Sequence, residues 1–359
     1  MPDVTGIKKF LDRSVDALLP LLAVPIALLI GAIILLVMDV NPLKAYSVLI
    51  VGAFGDVSGI TQTLVKATPL LLVGLGVTIA FRGGVINIGG EGQLVVGALA
   101  TTALALELKT WPGWALIPLS LLAGAAAGAI WGGIPGVLRS RLGGNEILST
   151  VMMNAIAAQR ANFLLRGPMM DPLQREAGTF LPESARIPQQ AWLLRLIPQT
   201  SLHAGLFIAL VLAVLVYIFL WRTSTGYRIR AVGLNPAASR YAGINVPFYE
   251  TLALTLGGVF AGLAGSVEVM GLHHNMLQYL SSGYGFSGIV AALFGKLHPL
   301  GAIPASILFG GLLVGGDKMQ RAVQVPSALV DALLGLIVLL VVSSEIYSRR
   351  RARRRDIHE

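Results

Sequence analysis

Asn87, Glu91 and Gln93 are polar side chains in the stretch 83–93, flanked by apolar runs at 70–80 and 94–106. One carboxylate and two amides could hydrogen-bond a hydroxyl or the edge of a base. At membrane depth each costs several kcal/mol unless it is paired or faces water, which makes such groups functional candidates. The five glycines of the stretch weaken a helix by about 1 kcal/mol each relative to alanine. They also let backbones approach closely, as in a broken helix lining a protein cavity. If the segment is helical, Asn87 and Glu91 share a face and Gln93 lies roughly opposite. The competing reading is structural: the three groups pin a broken helix through neighbouring backbone.

Two further groups of residues have the chemistry to meet a solute. Asn145 and Glu146 begin an apolar stretch that continues with Thr150 and Asn154, so Glu146, Thr150 and Asn154 form a polar stripe at four-residue spacing. In an apolar helix that stripe should face protein or a water-filled path. Asn145 also suits a helix cap, and Glu146 suits the positive end of a helix dipole, whereas Asn154 falls near mid-span and needs a partner. Ser281, Ser282, Tyr284, Phe286 and Ser287 combine hydroxyls with aromatic faces, which could stack on a base or belong to the interfacial aromatic belt. Glu268, His273 and His274 do not make a metal site, because adjacent histidines on a helix diverge and no further ligand cluster is near.

The elements positioning these residues are membrane spans. Of 359 residues, 55% are hydrophobic and 13% charged, so the chain cannot shield its apolar surface as a soluble globule. The absence of cysteine excludes a disulfide scaffold, thiolate zinc sites and cysteine nucleophiles. A net charge of +9 does not point to nucleic acid, since the basic residues flank apolar spans and cluster at 349–355 after the last one. The first apolar run is too long for a cleaved signal.

Apolar spans are expected near 16–38, 60–81, 86–107, 114–138, 145–165, 203–221, 247–272 and 327–347. Two shorter segments, 284–297 and 300–315, flank His298-Pro299 and are expected to be half-helices or a re-entrant pair of about 21–24 Å each. The expected fold is therefore all-α, a polytopic membrane protein with about ten transmembrane or half-spanning helices. Residues 1–15 form an N-terminal segment, 16–347 the transmembrane domain and 348–359 a basic tail. Placing both termini in the cytoplasm gathers the Lys and Arg excess on that side.

Two polar intervals interrupt the spans. Residues 166–202 are expected outside as a solvated, irregular connection with a short surface helix, or as a surface for an external partner. Residues 222–246 are expected in the cytoplasm. There Asn235 can cap a helix, Pro236 is tolerated in its first turn and Gly243 can end it. The short helix displays Arg240 and Tyr241; either it docks in a groove of another protein or it lies along the bilayer surface.

Asn87-Ile-Gly-Gly-Glu-Gly-Gln93, Asn145-Glu-Ile-Leu-Ser-Thr150, Gly233-Leu-Asn-Pro-Ala-Ala-Ser-Arg-Tyr-Ala-Gly243 and Gly285-Phe-Ser-Gly-Ile-Val-Ala-Ala-Leu-Phe-Gly295 resemble the permease subunits of bacterial ABC importers. The family is the one that includes branched-chain amino acid, ribose and nucleoside systems, and the Asn-Ile-Gly-x-Glu-Gly form is closest to the nucleoside branch. The resemblance covers nearly the whole chain. It implies an inner-membrane subunit that moves nucleosides inward by alternating access. It also implies a second, related permease, a cytoplasmic ABC ATPase and an extracytoplasmic solute-binding protein. Gly233, Asn235, Pro236, Ala237, Ala238, Arg240, Tyr241, Ala242 and Gly243 would form the helix that couples to the ATPase. The chain itself would bind no cofactor, ATP and Mg being on the ATPase; consistently, it has no phosphate-binding loop, Gly295-Lys296 lacking the upstream glycine. A simple-sugar or branched-chain amino acid permease, an ion-coupled carrier and an intramembrane enzyme are the alternatives.

Overall fold

A computed structural model describes residues 25–179 and 181–326, with scattered positions between 329 and 343. Its described residues form helices and turns without a strand, and only three isolated bridges occur in the loops. In chain order the helices are α1 (Pro25–Val37), α2 (Pro42–Phe54), α3 (Val57–Arg82), α4 (Gly90–Glu107), α5 (Gly113–Leu142) and α6 (Glu146–Leu165). They continue with α7 (Pro172–Glu176), α8 (Gly205–Arg222), α9 (Ser224–Leu234), α10 (Pro236–Tyr241), α11 (Val246–Glu268), α12 (Tyr284–Phe294) and α13 (Pro299–Val323). A π-helical turn, Val269–His273, prolongs α11.

The expected spans at 60–81, 114–138, 145–165, 203–221 and 247–272 coincide with α3, α5, α6, α8 and α11. Three expectations change. The span at 86–107 is helical only from Gly90, because residues 85–89 are unwound. The segment at 300–315 is no half-helix. α13 runs on through Asp317 and Lys318 for 25 residues, about 37 Å, since Lys318 pairs with Asp56 at 3.5 Å and its charge does not stop the helix. The companion segment is short, α12 covering only Tyr284–Phe294. Finally, α2 and α9 were not separately foreseen. Residues 1–24, most of the span at 327–347 and the tail at 348–359 lie outside the described residues.

The chain divides into two compact units. In the first, Leu35, Ala45, Met319, Val325 and Leu329 form the core, and Asn41 caps α2 through the backbone N–H groups of Leu43 and Lys44. The second, residues 61–310, carries all of the candidate site. Its centre is α11, wrapped by α4 and α5. Between helices in lipid, close packing and interhelical hydrogen bonds replace the hydrophobic drive, so small residues belong at the contacts. On α5, glycines 124, 128 and 132 recur every four residues. A Cβ on Gly128 would meet the Gly258 carbonyl oxygen at 2.2 Å, and one on Gly258 would meet the Gly128 carbonyl oxygen at 2.0 Å. Thr101 ties the three helices together, its hydroxyl 2.7 Å from that of Ser266 and donating to the Ser120 carbonyl.

Candidate functional site

The polar run is built around a break in the chain's helical course. α3 ends at Arg82, Gly84 turns the chain at φ +77°, and residues 85–88 climb without helical hydrogen bonds before α4 begins at Gly90. Asn87 stands beside Gly257, which is halfway along α11: its amide nitrogen is 2.8 Å from where a Cβ on Gly257 would be. The break therefore lies deep along a helix long enough to cross a membrane. The extended residues cover the depth quickly, at about 3.3 Å per residue.

Asn87, Glu91 and Gln93 do not have the helical relationship expected of them. Asn87 lies outside the helix, so four-residue spacing does not put it on the face of Glu91, and Gln93 is its partner. The two amides pair reciprocally at 3.1 and 3.2 Å, and the Asn87 oxygen also accepts from the Gly89 N–H at 2.9 Å. Glu91 turns elsewhere. Its carboxylate accepts from the N–H groups of Gly283 at 3.2 Å and Gly285 at 2.8 Å. These are the free donors at the start of α12, whose own cap residue, Gly283, has no side chain to satisfy them. Glu91 thus caps α12 from another helix, with its charge at the positive end of the α12 dipole. Gly285 makes the approach possible, because a Cβ there would be 2.2 Å from the Glu91 nitrogen.

Asn154 completes the arrangement. Its oxygen accepts from the Gly92 N–H and its nitrogen donates to the Ile88 carbonyl, both at 2.9 Å. One side chain on α6 thereby satisfies a backbone group within the break and another in the first turn of α4. The remainder of the α6 stripe also faces protein. Thr150 is buried and bonds back to the Glu146 carbonyl; Glu146 is ion-paired with Arg139, which also lies 3.7 Å from Glu250. Asn145 caps α6 through Ile147 and Leu148. Of the aromatic group, Tyr284 is buried in the packed interior and Phe286 is exposed, with Ser287 between these extremes.

The interval 166–202 is irregular but not simply solvated. It packs onto the chain beyond α11. Leu193 N–H donates to Met270 O, Ile187 N–H to His274 O and Ser184 N–H to Met276 O, all at 2.8–2.9 Å. Trp192 stacks on His274, with centroids 3.8 Å apart and planes 9° apart. Burial there and the neighbouring Arg195 push the His274 imidazole below its ordinary pKa. α7 is the short helix expected in this interval, capped by Asp171.

At the other end of α11, α10 has the predicted form. Asn235 accepts from the Ala238 N–H at 3.0 Å, Pro236 occupies the first turn and Gly243 follows at φ +78°. Ala237, Ala238, Arg240, Tyr241 and Ala242 are exposed, Tyr241 at 96%. α9 holds this helix against the unit. Gly233 packs so closely on Arg82 that a Cβ would stand 2.1 Å from its carbonyl oxygen, and the Arg82 and Arg230 guanidiniums both lie 5.4 Å from the Trp221 ring. A cavity of about 470 Å³ opens beside α10, lined in part by Tyr227, Arg228, Gly243 and Phe248. Arg228 donates to the Tyr249 hydroxyl at 3.0 Å, which holds its pKa above the ordinary value.

The sequence pointed to Glu91 and Asn154 but missed what lies between them. A cavity of about 120 Å³ is bounded by Glu91, Gly92, Asn154, Asn162, Gln278 and Tyr279, among others. Asn162 continues the four-residue spacing of Glu146, Thr150 and Asn154 along α6, whereas Gln278 and Tyr279 carry no periodic or motif signal; only the fold brings the loop at 274–283 against α4 and α6. Among the described residues no group of three or more His, Asp or Glu could hold a metal ion.

Long apolar helices with polar residues deep in the bundle define a multi-pass membrane protein of the transporter kind. The chain belongs to the family described as branched-chain amino acid transport system / permease component, whose sequence profile matches residues 59–342. It is 37% identical to a glucose ABC transporter permease protein of Haloferax volcanii, over 92% of this chain and 88% of that one. It is 36% identical to a guanosine ABC transporter permease protein of Bacillus subtilis, over 92% and 94%. With a nucleoside ABC transporter permease protein of Lactococcus lactis it shares 33% identity, over 92% of each. It is thus an ABC transporter permease component of the nucleoside and sugar import type.

Proposed function

We propose that this chain moves nucleosides inward across a bacterial inner membrane by alternating access, driven by ATP hydrolysis on partner subunits. Its relation to the guanosine and nucleoside permeases over nine-tenths of both chains carries this reading. Both termini are cytoplasmic, the interval 166–202 faces outward and α10 meets the ATPase. The chain binds no cofactor itself, ATP and Mg belonging to the ATPase, and no nucleic acid is involved. An extracytoplasmic binding protein delivers the solute, and a second, related permease completes the pathway.

Within this mechanism, the pairs Asn87–Gln93, Glu91–α12 and Asn154–backbone hold the broken helix while α10 transmits movement from the ATPase. A break whose own polar groups are satisfied offers a passing solute weak contacts, which transport requires. Vesicles carrying the chain with its ATPase, second permease and binding protein should take up labelled guanosine or adenosine only with ATP. No ATP-dependent nucleoside uptake refutes the proposal; uptake abolished by an ionophore and indifferent to ATPase mutations indicates an ion-coupled carrier. Sugar import is a second reading, favoured by the relative from Haloferax volcanii, and the same vesicles test it with labelled glucose.

A further inference from the structure

The cavity between α4, α6 and the loop at 274–283 has a lining that the helix break does not use up. Asn154 spends both amide atoms on backbone, and Glu91 spends one acceptor position on each oxygen. A carboxylate offers about four such positions, so Glu91 still has acceptors for a hydroxyl. Asn162 and Gln278 border the same cavity, and their side-chain amides have no hydrogen-bond partner among the described residues. At its edge stands Tyr279, 78% exposed and held at φ +63°. A non-glycine residue in that left-handed region is strained, and such strain persists where the surroundings impose it, commonly at ligand clamps. His274 and Ser282 in the same loop share this conformation, with the packed interval 166–202 bonding the loop in place.

The lining has two distinct parts: hydrogen-bonding groups in the recess and an aromatic ring at its edge. About 120 Å³ accommodates roughly four water-sized groups, enough for the hydroxyl-bearing edge of a pentose but not for a whole nucleoside. We propose that this recess is the permease's solute subsite for a ribonucleoside, with Glu91, Asn162 and Gln278 meeting the ribose hydroxyls and Tyr279 stacking on the base. The assignment rests on the nucleoside-import reading above and extends it to particular groups. A ribonucleoside matches because it joins a vicinal diol to an aromatic ring, whereas a simple sugar leaves the Tyr279 face without a base.

The chain has no cysteine, so Ala158→Cys, at an exposed position lining the recess, introduces a single thiol into the permease. In the assembled importer in vesicles, adenosine is expected to slow maleimide labelling of that thiol. Adding Tyr279→Ala should weaken the protection roughly ten-fold, while Tyr279→Phe keeps it. 2′,3′-Dideoxyadenosine, which lacks the vicinal 2′,3′ diol, should likewise need about ten-fold higher concentration. Co-purification of the partner subunits verifies assembly of each variant. If adenosine is taken up but fails to protect the thiol, or glucose protects equally, or Tyr279→Ala protects like its parent, the subsite is refuted while nucleoside import stands. If ATP-dependent glucose uptake is intact and adenosine is not taken up, the underlying reading fails instead.

Discussion

At the scale of single residues, the cost of burying amides and a carboxylate in the membrane is met by neighbouring backbone. Glu91 illustrates this: the charge that marks it as a functional candidate also satisfies the uncapped start of α12. Glu91→Gln replaces one acceptor oxygen with a donor and removes the charge, so one glycine N–H loses its partner. The expected loss is about 1–2 kcal/mol of stability, measured by unfolding in detergent, with Glu91→Asp too short to rescue it. Asn154 carries a similar load on two backbone groups. Asn154→Leu should cost about 2 kcal/mol or more, because both a donor and an acceptor are left buried without a partner. A variant as stable as the parent would show that the two bonds to Ile88 and Gly92 are dispensable.

At the scale of elements, α11 is the axis of the second unit, and its glycine contacts with α5 leave no room for a side chain. Gly128→Val should prevent close approach of the two backbones and reduce the folded fraction recovered from membranes; normal yield with unchanged thermal stability would contradict the packing. The loop beyond α11 carries a pH dependence whose sign follows from its histidine. His274 has a depressed pKa in the fold, so its contribution to stability is complete above the unfolded value, about 6.5, and falls as pH drops below it. Amide protection factors in 270–278, taken relative to the intrinsic exchange rate at each pH, should therefore fall on acidification from pH 7 to pH 5, and His274→Gln should reduce that dependence.

At the scale of the whole molecule, the proposed role demands that α10 be available to another protein, and its exposed Ala238 can be tested without disturbing the bundle. Ala238→Trp should leave thermal stability within about 0.5 kcal/mol of the parent, as surface substitutions usually do, while ATPase co-purification is lost. Retained co-purification and uptake would refute α10 as the coupling helix. Composition and apolar run length alone determined the helical membrane class and most span positions, since burial in lipid imposes a length and excludes charge. The α10 cap was equally legible, because Asn235, Pro236 and Gly243 act within a few residues of one another. The depth of the break at 85–89, the pairing of Asn87 with Gln93, the capping of α12 by Glu91 and the recess beside Tyr279 were not. Each joins residues far apart in the chain or depends on unwound backbone that has no periodicity, so only the packing of α4, α6, α11 and the loop at 274–283 could decide them.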